Sequence, residues 1–358
     1  MSLLDRLLDP FRGAAITIPP YDGAWKPNAA LDGAAQVAAL PGAEILARDS
    51  AGRIWLAAGP GLHMLDGTSL RPAAPFAAPV SALAAWPSGG LAVALADGGL
   101  WHLDGEARQD LTGRLPRRIR ATALLAEPDG GLVLAEGSAR HAPPDWTRAL
   151  MEKTRDGALW RLDPAGGEAR QLAGGLAFPA GLARAEDGAL VVAEAFAHRL
   201  AAIRPGARRP ATVLDRIPGY PGRLSPSASG GHWLSVFAPR NRLVELVLRE
   251  DRFRAEMVAS IAPEHWIAPA LRSGASFLEP LQRGGVRTMG MRKPWAPGRS
   301  YGLVARLDAG FQPVESFHSR ADGRRHGATS VLDLGGARLV ALAGADEIIR
   351  LEDERSPR

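Results

Sequence analysis

The stretch 128–137, PDGGLVLAEG, decides the fold because the chain repeats it. Each copy is a Gly-centred turn followed by a short apolar segment. DSAGRIWLAAG at 49–59, PSGGLAVALADG at 87–98, EDGALVVAEA at 186–195, SGGHWLSVF at 229–237 and LGGARLVALAG at 334–344 bring the number to six. An Asp-Gly or Gly-Gly pair suits a hairpin turn, where positive φ excludes most side chains. Leu, Val and Trp mixed with small residues fill the segment after the turn, as in buried strands. Several copies are followed by a further strand ending in Asp: GLHMLD (61–66), GLWHLD (99–104) and GALWRLD (157–163).

Strands this dense, recurring every 40 to 55 residues roughly, describe a propeller of four-stranded blades. Six copies predict an all-β, six-bladed β-propeller. A doubly wound α/β fold would need a helix between successive strands, and no segment of that length and pattern intervenes. Two blades are stretched. Residues 138–156 predict a short helix in blade 3, and residues 261–300, rich in Pro, Arg and Trp, form an insertion in blade 5, where a second short helical insertion is expected. Such insertions crowd one face of a propeller and cover its mouth. The expected division is a lead-in at 1–30, a single propeller domain at 31–352 and a tail at 353–358. In the lead-in, Leu3, Leu4, Leu7 and Leu8 share one face of a short helix stopped by Pro10. That face packs on the body of the protein or, alternatively, forms a homodimer or membrane-surface contact.

Composition removes several function classes. The 358 residues are 46% hydrophobic and include no Cys, which excludes disulfides and Cys-based metal centres. No apolar run reaches the length of a membrane-spanning helix, and the acidic start, with Asp5 among the first residues, is unlike a secretory signal, so a cytoplasmic location is expected. The net charge is +5, but nearly all of the basic residues are Arg interleaved with Asp and Glu, and Lys occurs only at 26, 153 and 293. Charge spread this evenly is not a phosphate-binding stripe, so no nucleic-acid partner is expected. Phosphate-binding loops, His-Glu-x-x-His and Gly-x-Ser-x-Gly are all missing from the sequence.

The runs SARHAPPDWTRALMEKTRDGALWRLDP (138–164), LAGGLAFPAGLARAEDGALVVAEAFAHRL (172–200) and IPGYPGRLSPSASGGHWLSVF (217–237) resemble the conserved region of strictosidine-synthase-like proteins. PGAEILARDSAGRIWLAAG (41–59) is similar to that family's opening blade. The resemblance implies a six-bladed propeller within the superfamily of gluconolactonases, lactonases and arylesterases. It also implies that His141 and Trp146, in the blade 3 insertion, shape the rim of a substrate pocket.

In a propeller the innermost strand of each blade starts at the central channel. Counting back eight residues from each turn glycine places Glu44, Ala82 beside Ser81, Thr122 beside Ala121, Ala180, Gly222, and Gly327 with Ala328 around the axis. The resemblance implies that metal-dependent relatives converge Glu, two Asn and Asp here on one calcium, since a hard cation wants several oxygen ligands. This chain keeps only Glu44, and its two Asn, Asn28 and Asn241, fall outside the register. No metal and no other cofactor is therefore expected. The resemblance also implies that true strictosidine synthases carry a catalytic Glu on the last blade; the matching position is Thr329, so that condensation is not expected.

What remains is one carboxylate among small residues, which predicts a roomy channel. Glu44 is expected at its floor, partly withdrawn from water, as a general acid or base with a raised pKa. Arg223 is expected to reach Glu44 or a substrate carboxylate, and His326 to titrate nearby. Ala180, Gly222, Arg240 and Thr329 complete the expected substrate-binding set, with a turn role as the alternative for Arg240 and Asn241. Glu194 and Arg199 read as a brace between neighbouring strands, and His63, His102 and His232 as structural residues. Trp266 and Trp295 form either an aromatic lid or a core cap, and most of the charge of HSRADGRRH (318–326) is expected to be solvated. The expected function is metal-independent chemistry on a small organic substrate, with ester or lactone hydrolysis first. A bond-forming or cyclising reaction, or a non-catalytic ligand-binding or scaffold propeller, is the alternative.

Overall fold

A computed structural model describes residues 18–352, apart from 165, 205, 207–209, 275–278, 280–286, 289–290 and 293–297. Six four-stranded antiparallel sheets form the blades. Their innermost strands are Ala43–Arg48, Val80–Ala85, Ala121–Ala126, Pro179–Arg184, Gly219–Pro226 and Ala328–Asp333. The second strands, Ile54–Ala58, Leu91–Leu95, Leu132–Glu136, Leu190–Glu194, His232–Pro239 and Ala337–Leu342, are the apolar segments of the six repeats. The turns before them work as the sequence requires: Gly130 and Gly188 have φ of 84° and 79°. The preceding Asp129 and Asp187 each accept a hydrogen bond from the amide two residues on, which holds the turn closed.

Blade 6 takes three strands from the end of the chain and its fourth from the beginning. Ala35–Ala39 pairs antiparallel with Glu347–Glu352, Ala35 opposite Arg350 and Ala39 opposite Glu347. This closes the ring by joining the two ends of the propeller in one blade. Leu31, just before that strand, is buried with Trp233, Val340 and Ile349. Apolar layers fill the spaces between adjacent blades: Leu124 and Leu134 of blade 3 pack with Ala92 and Leu100 of blade 2.

The blade 3 insertion forms a single 3-10 turn and a short helix, Trp146–Met151. In blade 5 the helices lie earlier than the Pro-rich stretch suggested. They span Arg242–Arg249 and Asp251–Ser260, starting directly after the second strand. Asn241 caps the first, its side-chain oxygen accepting from the amides of Leu243 and Val244, while Val244 and Val247 turn inward. Asn241 therefore has the turn role. Residues 1–17, with the Leu3–Leu8 face, lie outside the described residues, as do Trp295 and 353–358. No helix among the described residues is long and apolar enough to cross a membrane.

Candidate active site

Every innermost strand carries an irregularity at the same place. In blade 1 the pairing runs Ala43 with Ala58, then Ile45 with Ala57, so Glu44 is bulged out of the ladder. Ser81, Thr122, Ala180 and Thr329 are bulged in the same way in blades 2, 3, 4 and 6. In blade 5 two residues, Gly222 and Arg223, stand opposite Ser235 alone. A bulge re-aims a side chain that regular pleating would bury between blades. All seven residues line one cavity on the axis, of about 250 Å³, walled by Val80, Phe178, Phe237 and Leu271 and roofed from the blade 3 insertion by Pro143, Pro144 and Trp146.

Most polar ring groups are already spent on the frame. Thr329 Oγ1 donates to the Glu44 carbonyl (2.8 Å), and Thr122 Oγ1 to the carbonyls of Ala135 and Pro179. Ser81 Oγ donates to the Ala94 carbonyl at 3.3 Å. The Thr329–Glu44 and Thr122–Pro179 bonds tie neighbouring inner strands together, and the other two tie an inner strand to the second strand of its own blade. Two charged groups are left facing the cavity. Arg223 reaches across the axis from blade 5, its Nη2 donating to the Ser81 carbonyl (2.9 Å) and its Nη1 to that of Thr329 (3.3 Å). The same Nη2 stands 3.5 Å from Glu44 Oε1. Burial pulls the guanidinium below the usual arginine value, and the Glu44 charge works against that fall. Its Nε has no hydrogen-bond partner. Arg223 is also the floor, because a separate void of about 60 Å³ lies on its other side, among Leu46, Leu83, Leu124 and Leu182.

One expectation needs correction. The small ring residues do not leave a wide channel: a Cβ on Gly222 would lie 2.7 Å from Ser235 Oγ and 3.2 Å from Phe237, so glycine is there for close packing, and Arg223 closes the bore. Glu44 is partly withdrawn from water, its side chain 44% exposed, and Arg223 is more deeply placed at 18%. The register counted back from the turns reaches Glu44, Thr122, Ala180 and Gly222, and falls one residue short at Thr329.

The other expected residues divide. Trp146 lines the cavity, edge-on to Phe237 at 5.1 Å between ring centroids. His141 turns away, its Nε2 paired with Glu152 at 2.8 Å. Arg240 pairs with Glu245, beside His198 and away from the axis. His326 is buried outside the axial cavity, with Nδ1 on Ser300 Oγ (2.7 Å) and Nε2 on the Arg320 carbonyl (3.0 Å). Leu271 lines the axial cavity and its neighbours Arg272 and Ser273 line a second one, so this short segment is the partition that separates His326 from Glu44.

Glu194 and Arg199 form the expected brace, directly opposite on paired strands, and Glu194 also accepts from the Ala177 amide. His232 stacks on Phe311 and His102 bonds the Gly89 carbonyl, both structural roles. Trp266 is a core cap, fully buried with its indole N–H on the Ile261 carbonyl. Within 318–326, Arg320 and Arg324 are exposed, while Arg325 is held by Glu347 and by the carbonyls of Leu31, Asp32 and Ala34. The residues that sequence reasoning missed, Phe178, Phe237 and Leu271, supply the apolar wall; Phe178 carries a positive φ of 55°, but nothing in its sequence context announces it.

The residues present do not fit a calcium ion. The ring offers one carboxylate, and the place beside it holds a guanidinium. Among the described residues no group of three or more His, Asp or Glu is placed to hold a metal.

The strictosidine synthase family profile matches residues 123–202, which run from the inner strand of blade 3 to the third strand of blade 4. That part of the chain is similar to the strictosidine synthase family. Adipocyte plasma membrane-associated protein is similar to this chain in two species: 32% identical over 113 residues in Bos taurus and 28% over 162 residues in Homo sapiens. These alignments span 30% and 41% of this chain and 27% and 39% of the relatives, so this chain matches well under half of either. Similarity of fold runs further. XC5397 from Xanthomonas campestris, a gluconolactonase, superposes with a TM-score of 0.57 at 14% identity, covering 91% of this chain and 93% of that one. Regucalcin from Agrobacterium tumefaciens, a calcium-binding protein, gives 0.54 at 14% identity, covering 89% and 92%.

Proposed function

We propose that the axial cavity is the active site of a metal-independent hydrolase for small, largely apolar lactones or esters. The observation that carries this reading is the Glu44–Arg223 pair at the floor of an apolar-walled cavity. A lactone held between Trp146, Phe178 and Phe237 would direct its carbonyl toward the Arg223 guanidinium at the cavity floor. Glu44, exposed to the cavity, takes a proton from water as the water attacks the carbonyl carbon. Arg223 stabilises the oxyanion that develops, the work a metal does in other hydrolases, at a position fixed in advance by the Ser81 and Thr329 carbonyls. The tetrahedral intermediate then collapses with cleavage of the ring C–O bond, and protonated Glu44 returns its proton to the leaving alkoxide. The gluconolactonase among the fold neighbours supports this reaction class.

The test is turnover of a panel of lactones and aryl esters by pH-stat in the presence of EDTA. Hydrolysis should be present and should fall about 100-fold or more in Glu44→Gln, the usual range for loss of a general base. A panel that quenches Trp146 fluorescence by binding, yet is never turned over, would make the protein a ligand-binding propeller instead.

A further inference from the structure

The second cavity, of about 700 Å³, differs in chemistry from the axial one. Asp32, Gln36, Arg272, Arg324 and Glu347 line it, together with Ser273 and His326. Behind its wall runs a chain of three buried side chains. Ser273 Oγ is 2.7 Å from Ser300 Oγ, Ser300 Oγ is 2.7 Å from His326 Nδ1, and His326 Nε2 is 3.0 Å from the Arg320 carbonyl oxygen.

The proton positions in this chain follow from one fact: a carbonyl oxygen only accepts. Nε2 must therefore carry the hydrogen, which leaves Nδ1 of the neutral imidazole as an acceptor. Ser300 must then donate its single O–H to Nδ1, so Ser300 Oγ accepts from Ser273 O–H. The order of donation runs Ser273 to Ser300 to His326 to the Arg320 carbonyl. This is the wiring that withdraws a proton from a serine on the rim of a cavity. The backbone holds it tightly in place. A Cβ on Gly327 would lie 2.7 Å from the Leu271 carbonyl oxygen, and one on Gly344 would lie closer still to it, so the segment leading to Ser273 packs directly on the strand ends beside His326.

We propose that Ser273 is a nucleophile of a second site, distinct from the axial cavity, that takes acyl groups from hydrophilic esters. Ser273 Oγ forms a bond to the ester carbonyl carbon while its proton passes to Ser300 Oγ, and the Ser300 proton passes to His326 Nδ1. The Arg320 carbonyl accepts from the imidazolium so formed. Collapse breaks the ester C–O bond, and the relay runs backward to protonate the departing alcohol, leaving acyl-Ser273. Water, deprotonated through the same relay, releases the acid and restores the serine. The guanidinium and carboxylate lining selects a polar substrate, whereas the axial cavity selects an apolar one.

A fluorophosphonate carrying a polyethylene glycol linker tests this on the full chain. The probe phosphonylates an activated serine with loss of fluoride, and peptide mass spectrometry locates the adduct. The expected result is near-stoichiometric labelling at Ser273, slowed at least tenfold in Ser300→Ala and kept within about threefold of wild type in Ser300→Thr, which restores the hydroxyl. Ser273→Ala should abolish this adduct while leaving lactone turnover at the axial cavity unchanged. Absence of an adduct at Ser273 in the wild-type protein overturns the proposal without recourse to any variant. Equal labelling in a folded Ser300→Ala protein overturns it as well, since a serine that reacts without the relay is not activated by it.

Discussion

The guanidinium of Arg223 crosses the propeller axis to stand 3.5 Å from the Glu44 carboxylate, joining blade 5 to blade 1. No other ring residue brings a charge to the cavity, and the hydroxyls around it are committed to holding adjacent strands. Arg223→Ala removes the group that meets the oxyanion. The expected effect on lactone turnover is a fall in kcat of about 100- to 1,000-fold with a smaller change in KM, because the lost interaction belongs to the transition state. EDTA should leave wild-type kcat unchanged. Steady-state kinetics check both, and restoration of activity by added calcium would contradict the assignment of that role to Arg223.

A different pair of carboxylates is structural. Glu136, in blade 3, is fully buried and takes two hydrogen bonds from Arg117 (2.6 and 2.7 Å) and one from the Trp160 indole. Glu194 holds the equivalent strand end in blade 4 through Arg199 and the Ala177 amide. Each arginine keeps access to water, which softens the loss of its partner. Glu136→Ala and Glu194→Ala should therefore each cost about 1–3 kcal/mol rather than the full cost of stranding a buried charge. Urea unfolding reads this directly, and lactone turnover per folded molecule should stay within twofold of wild type.

The repeats made the fold legible, because a turn that needs positive φ leaves a glycine at a fixed point in every blade. The axial residues were legible for a related reason: the bulge sits at a nearly constant distance from that turn, so counting back from Gly52, Gly130 and Gly188 arrives at Glu44, Thr122 and Ala180. The reach of Arg223 toward Glu44 was legible from its place one residue past Gly222, and blade 5 achieves it by bulging two residues where the others bulge one. Two features had no such signal. The closing strand Ala35–Ala39 carries no turn motif, and its pairing is dictated by the need to complete a ring. His326 precedes the axial strand in sequence, yet the segment Leu271–Ser273, supplied by a distant insertion, walls it off.

Buried histidines make stability depend on mild acid. Burial pulls His198 down to about 4, with Arg240 adding repulsion against Glu245 and the Gly219 carbonyl, and burial also pulls His318 down to about 4. In the unfolded chain each takes up its proton near pH 6.5. Protonation thus favours the unfolded chain: the stabilisation is complete above about pH 6.5, falls as the pH drops, and is lost by about pH 4. The steepest fall is about 1.4 kcal/mol per pH unit for each histidine. Urea midpoints measured between pH 7 and 5 should show it. His198→Asn tolerates the left-handed backbone there (φ 51°) and can still donate to the Gly219 carbonyl, so it should remove about half of the slope.

Arg325 ties the closing strand to the last blade. Its Nη1 donates to the carbonyls of Leu31 (2.7 Å), Asp32 (3.2 Å) and Ala34 (2.6 Å), the turn that delivers the chain into Ala35–Ala39, and its Nε pairs with Glu347 on the strand that Ala35–Ala39 joins. The closing strand itself is rich in alanine and half exposed, so it brings little apolar area to the blade. Charge-assisted bonds to several carbonyls must carry what burial does not. Arg325→Ala leaves those carbonyls and Glu347 without their donor, and a loss of about 2–3 kcal/mol is expected. The loss should be local before it is global. Hydrogen exchange at Ala35–Ala39 and Glu347–Glu352 should accelerate at least tenfold while the inner strands of blades 2 to 4 keep their protection. Uniform acceleration across all six blades would show instead that the ring opens only with the whole fold, and that Arg325 is one contact among many.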